Sequence, residues 1–296
     1  MELPYLDHFH LKEEPFSTSP NPRFLFKSPV HHAAVQKIRY VVAAKKGLAV
    51  CFGRSGMGKT TLARLLHQTF IDDGYRAVFM TNPSFPTPNQ LLRAIIQEYQ
   101  VTRTARSFLD LLNLFKAFLY EQAIERRQTL VLLIDESQTM RFPLLELLRQ
   151  IVNYESNDQK FLQVVLFAQE EFRATLRRAH NLENRVVMSS TLENLSLADT
   201  QQMLRFRWQV AGGGELPFAD DSVQAIYEAT QGVPRTEVIL ADNALLAAAL
   251  RRADVIGPDI IWQVVRDRGL DDMVEAQGDP GGEQKQQEGG HGDGNA

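Results

Sequence analysis

Gly53-Arg54-Ser55-Gly56-Met57-Gly58-Lys59-Thr60 fits the phosphate-binding pattern G-x-x-x-x-G-K-[ST] at every position. The apolar run Gly47–Phe52 precedes it and has the character of a buried strand. Thr60–Phe70 follows, with apolar residues at helical spacing. Strand, glycine loop and helix are the context the pattern needs. The glycines let successive backbone N–H groups turn toward a phosphate, and the helix N-terminus adds partial positive charge. The expected cradle runs through Gly53, Arg54, Ser55, Gly56, Met57, Gly58, Lys59, Thr60 and Thr61. Lys59 is expected to reach the outer phosphates, and the Thr60 hydroxyl to bind Mg²⁺.

Working outward, strand candidates fall at Gly47–Phe52, Ala77–Asn82, Thr129–Glu136, Leu162–Gln169 and Val186–Leu192. Helical patterns lie between them, notably Asn89–Tyr99 and Ser107–Arg127. This alternation predicts an α/β fold, an αβα sandwich around a parallel sheet. Leu130–Ile134 is apolar at every position, as a central parallel strand should be. After Leu195 the strand patterns stop. Ser196 with Asp199 predicts a capped helix through Val210, followed by helices over Asp220–Thr230, Pro234–Arg252 and Pro258–Arg268. The expected organisation is an irregular arm over 1–30 packed on the core, a nucleotide-binding domain over 31–195, and a small all-helical lid domain over 196–270. Residues 271–296, rich in Gly, Gln and acid, read as a disordered tail. The arm carries Phe9, Phe16, Phe24 and Phe26, which a free linker would not need.

Composition narrows the function classes. Hydrophobic residues make up 44% and charged residues 23%, ordinary values for a globular protein. No apolar run approaches the roughly 18 residues of a membrane span, and Met1–His10 lacks the apolar stretch of a signal peptide. The lone cysteine, Cys51, sits inside the first predicted strand, where packing is its expected role. These features lead us to expect a cytoplasmic protein. Net charge is −4, with seven acids and one lysine in 271–296, so the rest of the chain is slightly basic. The seven histidines show no metal-ligand spacing, and His31-His32 is expected to open a helix.

A phosphate loop needs a metal partner and a group that acts on water. Asp135-Glu136 closes the most apolar strand and suits both roles, Asp135 for Mg²⁺ alongside Thr60 and Glu136 for the water. Asn82 ends the second strand and is either a holder of Glu136 or a turn former before Pro83. Gln169 ends the fourth strand, where it could sense the γ-phosphate or the water. Arg185 precedes the last strand and could reach a neighbouring subunit's site, with Arg177 and Arg178 as competitors. Gly232-Val233-Pro234-Arg235 starts the long lid helix, from which Arg235 would report on the nucleotide.

Together these residues resemble an AAA+ ATPase, most closely the ExeA/GspA-like family, which includes transposition ATPases of the TnsC or TniB type. Phe9-x-Leu11-x-x-x-Pro15-Phe16 with Pro20-Asn21-Pro22-Arg23-Phe24-Leu25-Phe26 is similar to that family's N-terminal signature. So are Phe167–Phe172 and Gly232–Arg235, although Glu170 stands where the family usually has proline. The resemblance covers residues 7 to 268. It implies ATP and Mg²⁺ as ligands, Arg185 as a finger acting in trans, Arg235 as a second sensor, and self-assembly into a hexameric ring or helical filament. Secretion-type members carry a transmembrane segment and a peptidoglycan-binding domain after the ATPase, and these 296 residues hold neither pattern. The expectation is therefore a transposition regulator that binds double-stranded DNA and recruits a transposase. Arg103, Thr104 and Arg106, in an interhelical stretch, are the candidate phosphate-backbone contacts. The alternative is an ATPase assisting secretion or pilus assembly through an inner-membrane partner. A small-molecule kinase fits less well with the Asp-Glu pair and the helical second domain.

Overall fold

The computed structural model describes residues 3–103 and 105–269. Thr104 and the expected tail over 271–296 lie outside the described residues. Five strands form one all-parallel sheet: β1 (Leu48–Gly53), β2 (Arg76–Met80), β3 (Leu130–Ile134), β4 (Leu162–Ala168) and β5 (Val186–Leu192). Their order is β2-β3-β4-β1-β5. All residues of β1, β3 and β4 are buried, because both faces of the sheet are covered.

Side-chain alternation along β1 separates the two cores. Leu48, Val50 and Phe52 join α4 (Pro88–Glu98), α5 (Phe108–Tyr120) and α6 (Phe142–Val152) on one face. Ala49 and Cys51 join α2 (Pro29–Ala43) and α3 (Lys59–Asp72) on the other. Burial pushes the Cys51 thiol up to about 12, as expected of a packing residue.

The expected helix over Ser107–Arg127 is shorter than its pattern. It ends at Tyr120 and continues as one π turn over Glu121–Glu125, closed by the Arg126 amide on the Glu121 carbonyl. The wider turn sets Gln122 inside, where its side chain accepts from Arg76 Nη1 at the start of β2 at 3.1 Å. Strand ends are also earlier than expected. β2 stops at Met80 and β3 at Ile134, so Asn82, Asp135 and Glu136 sit on the turns beyond the sheet.

After the short helices α7 (Phe172–Arg178) and α8 (His180–Glu183), α9 (Leu197–Val210), α10 (Asp220–Thr230), α11 (Pro234–Arg251) and α12 (Pro258–Asp267) build a separate helical cluster. Ser196 caps α9 by accepting the Asp199 amide at 3.1 Å. Gly232, at φ 75°, must be glycine: a Cβ there would stand 2.1 Å from the Leu195 carbonyl oxygen.

The arm is more regular than its sequence suggests, with α1 over Pro4–His8 and a 3₁₀ turn over Pro22–Phe24. Its anchors Tyr5, Leu11, Phe16 and Phe24 bury themselves in the helical cluster, while Leu25 and Val30 lean on the sheet side. The Tyr5 hydroxyl donates to Asp242 on α11 at 2.7 Å. Among the described residues, no helix is long and apolar enough to cross a membrane.

Candidate functional site

The loop from Gly53 leads from the end of β1 into the start of α3, where Gly58 caps the helix with left-handed backbone. Lys59 is only 5% exposed. Its Nζ donates to the carbonyls of Gly53 and Arg54, each at 2.8 Å. Burial lowers its pKa, while the Glu136 and Asp135 carboxylates work in the opposite direction. Thr60 Oγ1 donates to Asp135 Oδ2 at 2.5 Å. The other oxygen, Oδ1, accepts the Glu136 amide at 2.9 Å. Burial raises the Asp135 pKa, opposed by those two hydrogen bonds.

Glu136 takes left-handed backbone at φ 51°. Its Oε2 accepts from Gln138 Nε2, and Gln138 Oε1 accepts the Gln169 backbone amide at 3.1 Å. Gln138 was not among the residues singled out by the sequence, although it lies two positions after Glu136. Among the described residues, no hydrogen bond joins Asn82 to Glu136. Asn82 Oδ1 accepts the Ser84 amide at 3.1 Å, which is turn chemistry before and after Pro83.

A cavity of about 320 Å³ opens at this point, a size suited to a small molecule. Ser55 to Thr61, Glu136 and Gln169 form its floor. Pro234 and Arg235 close one side from α11. The Arg235 amide donates to the Gly56 carbonyl at 3.2 Å. Gly56, at φ 84°, allows that approach, since a Cβ there would lie 3.0 Å from the Arg235 Cβ.

The arm supplies a wall that sequence motifs did not reveal. Ser17 to Asn21 and Phe24 to Phe26 line the cavity together with Met203 and Val238. Arg207 of α9 pins this wall, donating to the carbonyls of Pro15 (2.8 Å), Ser17 (2.7 Å) and Phe24 (3.2 Å). Its guanidinium is desolvated enough for its pKa to fall to about 10. His31, in the first turn of α2, also lines the cavity. Its Nε2 lies 3.1 Å from the Met57 carbonyl and its Nδ1 lies 2.8 Å from Ser28 Oγ. A carbonyl only accepts, so the neutral ring carries its proton on Nε2. Burial lowers the His31 pKa, which favours that neutral form.

The residues present fit a nucleotide with a divalent cation. A lysine ammonium and a glycine-loop helix start suit phosphates, and a hydroxyl bonded to a buried carboxylate is the oxygen pair that Mg²⁺ takes. Arg185 is not brought to this cavity. It lies exposed in a separate depression with Arg149, Asn181 and Asn184. Arg177 and Arg178 are likewise exposed, in the last turn of α7. Arg103 and Arg106 are exposed between α4 and α5, away from the cavity.

An AAA domain matches residues 42–176. General secretion pathway protein A of Aeromonas hydrophila is 35% identical over 250 residues, which is 83% of this chain and 45% of that protein. The chain is a GspA-like AAA protein. It spans under half the length of that relative. Among solved structures, the ORC2 protein of Aeropyrum pernix matches with a TM-score of 0.65 at 17% identity, covering 86% of this chain and 72% of that one. The RuvB Holliday junction branch migration motor of Thermotoga maritima matches at 0.58 and 17% identity, over 85% and 75% of the two chains. Drosophila ORC bound to DNA matches at 0.66 and 17% identity, over 89% and 66%. With the AAA domain match, these likenesses establish the P-loop NTPase fold.

Proposed function

We propose that the chain binds Mg-ATP in the cavity beside Lys59 and hydrolyses it, using the nucleotide state to switch self-assembly. The observation that carries this reading is the convergence on one cavity of Lys59, Thr60 and Glu136, with Asp135 hydrogen-bonded to Thr60 behind it. In this reading the Lys59 ammonium exchanges its carbonyl partners for phosphate oxygens. Thr60 and Asp135 hold Mg²⁺, which supplies charge neutralisation on the phosphates. Glu136 orients a water and accepts its proton as the water oxygen bonds to the γ-phosphorus and ADP leaves. Gln169 and Arg235 read the γ-phosphate from the sheet side and the lid side. Arg185 acts on a neighbour's nucleotide in a ring or filament, in keeping with its exposure and its distance from this chain's own cavity.

Calorimetric titration with Mg-ATP tests the site. One nucleotide per chain is expected, and Lys59→Ala should lower the affinity at least tenfold. Unaltered binding by that variant would remove the assignment.

The partner is proposed from two directions. The similarity to a secretion pathway protein supports a cytoplasmic ATPase working with an inner-membrane partner. The exposed Arg103 and Arg106 support a second reading, sequence-independent contact with double-stranded DNA and recruitment of a transposase. Turnover measured with and without duplex DNA at low salt separates them. Stimulation lost in Arg103→Ala/Arg106→Ala favours DNA. No response and no binding leaves the secretion or pilus role.

A further inference from the structure

The turn after β3 is built to be rigid. The buried Ser137 hydroxyl donates to the Ile134 carbonyl at 3.0 Å, and the Thr139 amide and hydroxyl donate to the Glu136 carbonyl at 3.0 and 2.9 Å. These bonds fix the Glu136 backbone and the direction of its Cα–Cβ bond. They leave the three side-chain torsions of Glu136 free. Gln138 removes that freedom, with one end of its amide on Glu136 Oε2 and the other on the Gln169 amide.

The amide orientation follows from its partners. A backbone N–H demands the oxygen end, and a carboxylate demands the NH₂ end. Both demands are met at once, so the bridge runs in one sense only. Glu136 Oε1 has no hydrogen-bond partner among the described residues, which leaves it for a water in the cavity.

We propose that Gln138 is a positioning residue for hydrolysis, a brace that ties the Glu136 carboxylate to the end of β4 and aims its free oxygen into the cavity. The inference rests on the proposed role of Glu136. Asn82, the residue whose sequence position suggested control of Glu136, is engaged with Ser84 instead. Because Gln169 also lines the cavity, the brace holds the base and the β4 end in one fixed relation.

Two substitutions separate positioning from mere support of the turn. Gln138→Met keeps the length and loses both bonds. Gln138→Glu keeps an acceptor for the Gln169 amide and replaces the donor with a carboxylate facing Glu136. Positioning predicts a kcat lower by roughly ten- to a hundredfold in both variants, with KM and the affinity for a fluorescent ATP analogue within about twofold of wild type. A supporting role alone predicts that Gln138→Glu turns over like wild type, and that outcome overturns the proposal. In a Glu136→Gln background, Gln138→Met should add no further loss, because the two residues act as one unit. A full additional loss overturns the proposal too. In nucleotide-free protein labelled with ¹⁵N-glutamine, the Gln138 side-chain signals, identified by their absence in Gln138→Met, should move in Glu136→Gln. Unmoved signals would contradict the bridge. Wild-type turnover by Glu136→Gln itself would instead strike the role of Glu136, whereas an inactive Glu136→Gln beside a fully active Gln138→Met strikes only the brace.

Discussion

Glu237 is fully buried in the first turn of α11, two residues after Arg235. Its Oε1 accepts the Thr200 hydroxyl at 2.5 Å, while Oε2 has no partner. Burial pushes its pKa from 4.5 to about 7, opposed by the Thr200 hydrogen bond. The folded protein therefore holds a proton that the unfolded chain releases at lower pH. Its stabilising contribution is full below 4.5 and is lost as pH rises through about 7. Glu237→Gln should raise the melting temperature at about pH 8 by roughly 5 °C, with the gain shrinking toward about pH 5. Calorimetry across that range checks it, and a pH-independent difference would count against the assignment. Gly56 makes the opposite prediction. Gly56→Val places a branched side chain in left-handed backbone against Arg235, and should destabilise the protein by about 2 kcal/mol while weakening nucleotide binding. At this scale the sequence was legible where chemistry is local. Lys59, Thr60, Asp135 and Glu136 each follow from a strand end and a short motif. Gln138, His31 and Arg207 were not, because their roles depend on what a turn or a distant segment places beside them.

The elements show the same division. The apolar run Leu130–Ile134 announces β3, since a strand covered on both faces has no polar side. The π turn at Glu121–Glu125 was hidden, because the contact that goes with it joins Gln122 to Arg76, a residue far away in the sequence. The arm was expected to pack on the core, without a choice between its parts. It packs chiefly on the helical cluster, because α9 offers Arg207 to three arm carbonyls and α11 offers Asp242 to Tyr5. Arg207→Met should cost about 2 kcal/mol of stability through those lost charged hydrogen bonds. It should also expose the arm to limited proteolysis and reduce nucleotide affinity, since the arm forms one wall of the cavity. Digestion followed by mass spectrometry reads the first effect. An arm as resistant as in wild type would show that Arg207 does not hold it.

Across the whole molecule, three surfaces meet at one cavity: the carboxyl ends of the strands, the arm, and the amino end of α11. The position outside the strand ends is the one expected for a ligand in an open parallel sheet. Gly232 ties the α11 end to the segment that leaves β5, because its carbonyl accepts the Leu195 amide at 2.8 Å while its missing side chain lets the Leu195 carbonyl approach. The central claim is that Glu136 drives turnover of a nucleotide held by Lys59 and Thr60. Phosphate release under saturating Mg-ATP, measured for wild type and Glu136→Gln at matched nucleotide occupancy, tests it most directly. The account predicts steady turnover by the wild type and a fall of at least a hundredfold in the variant with binding retained. Equal rates in the two proteins would contradict it.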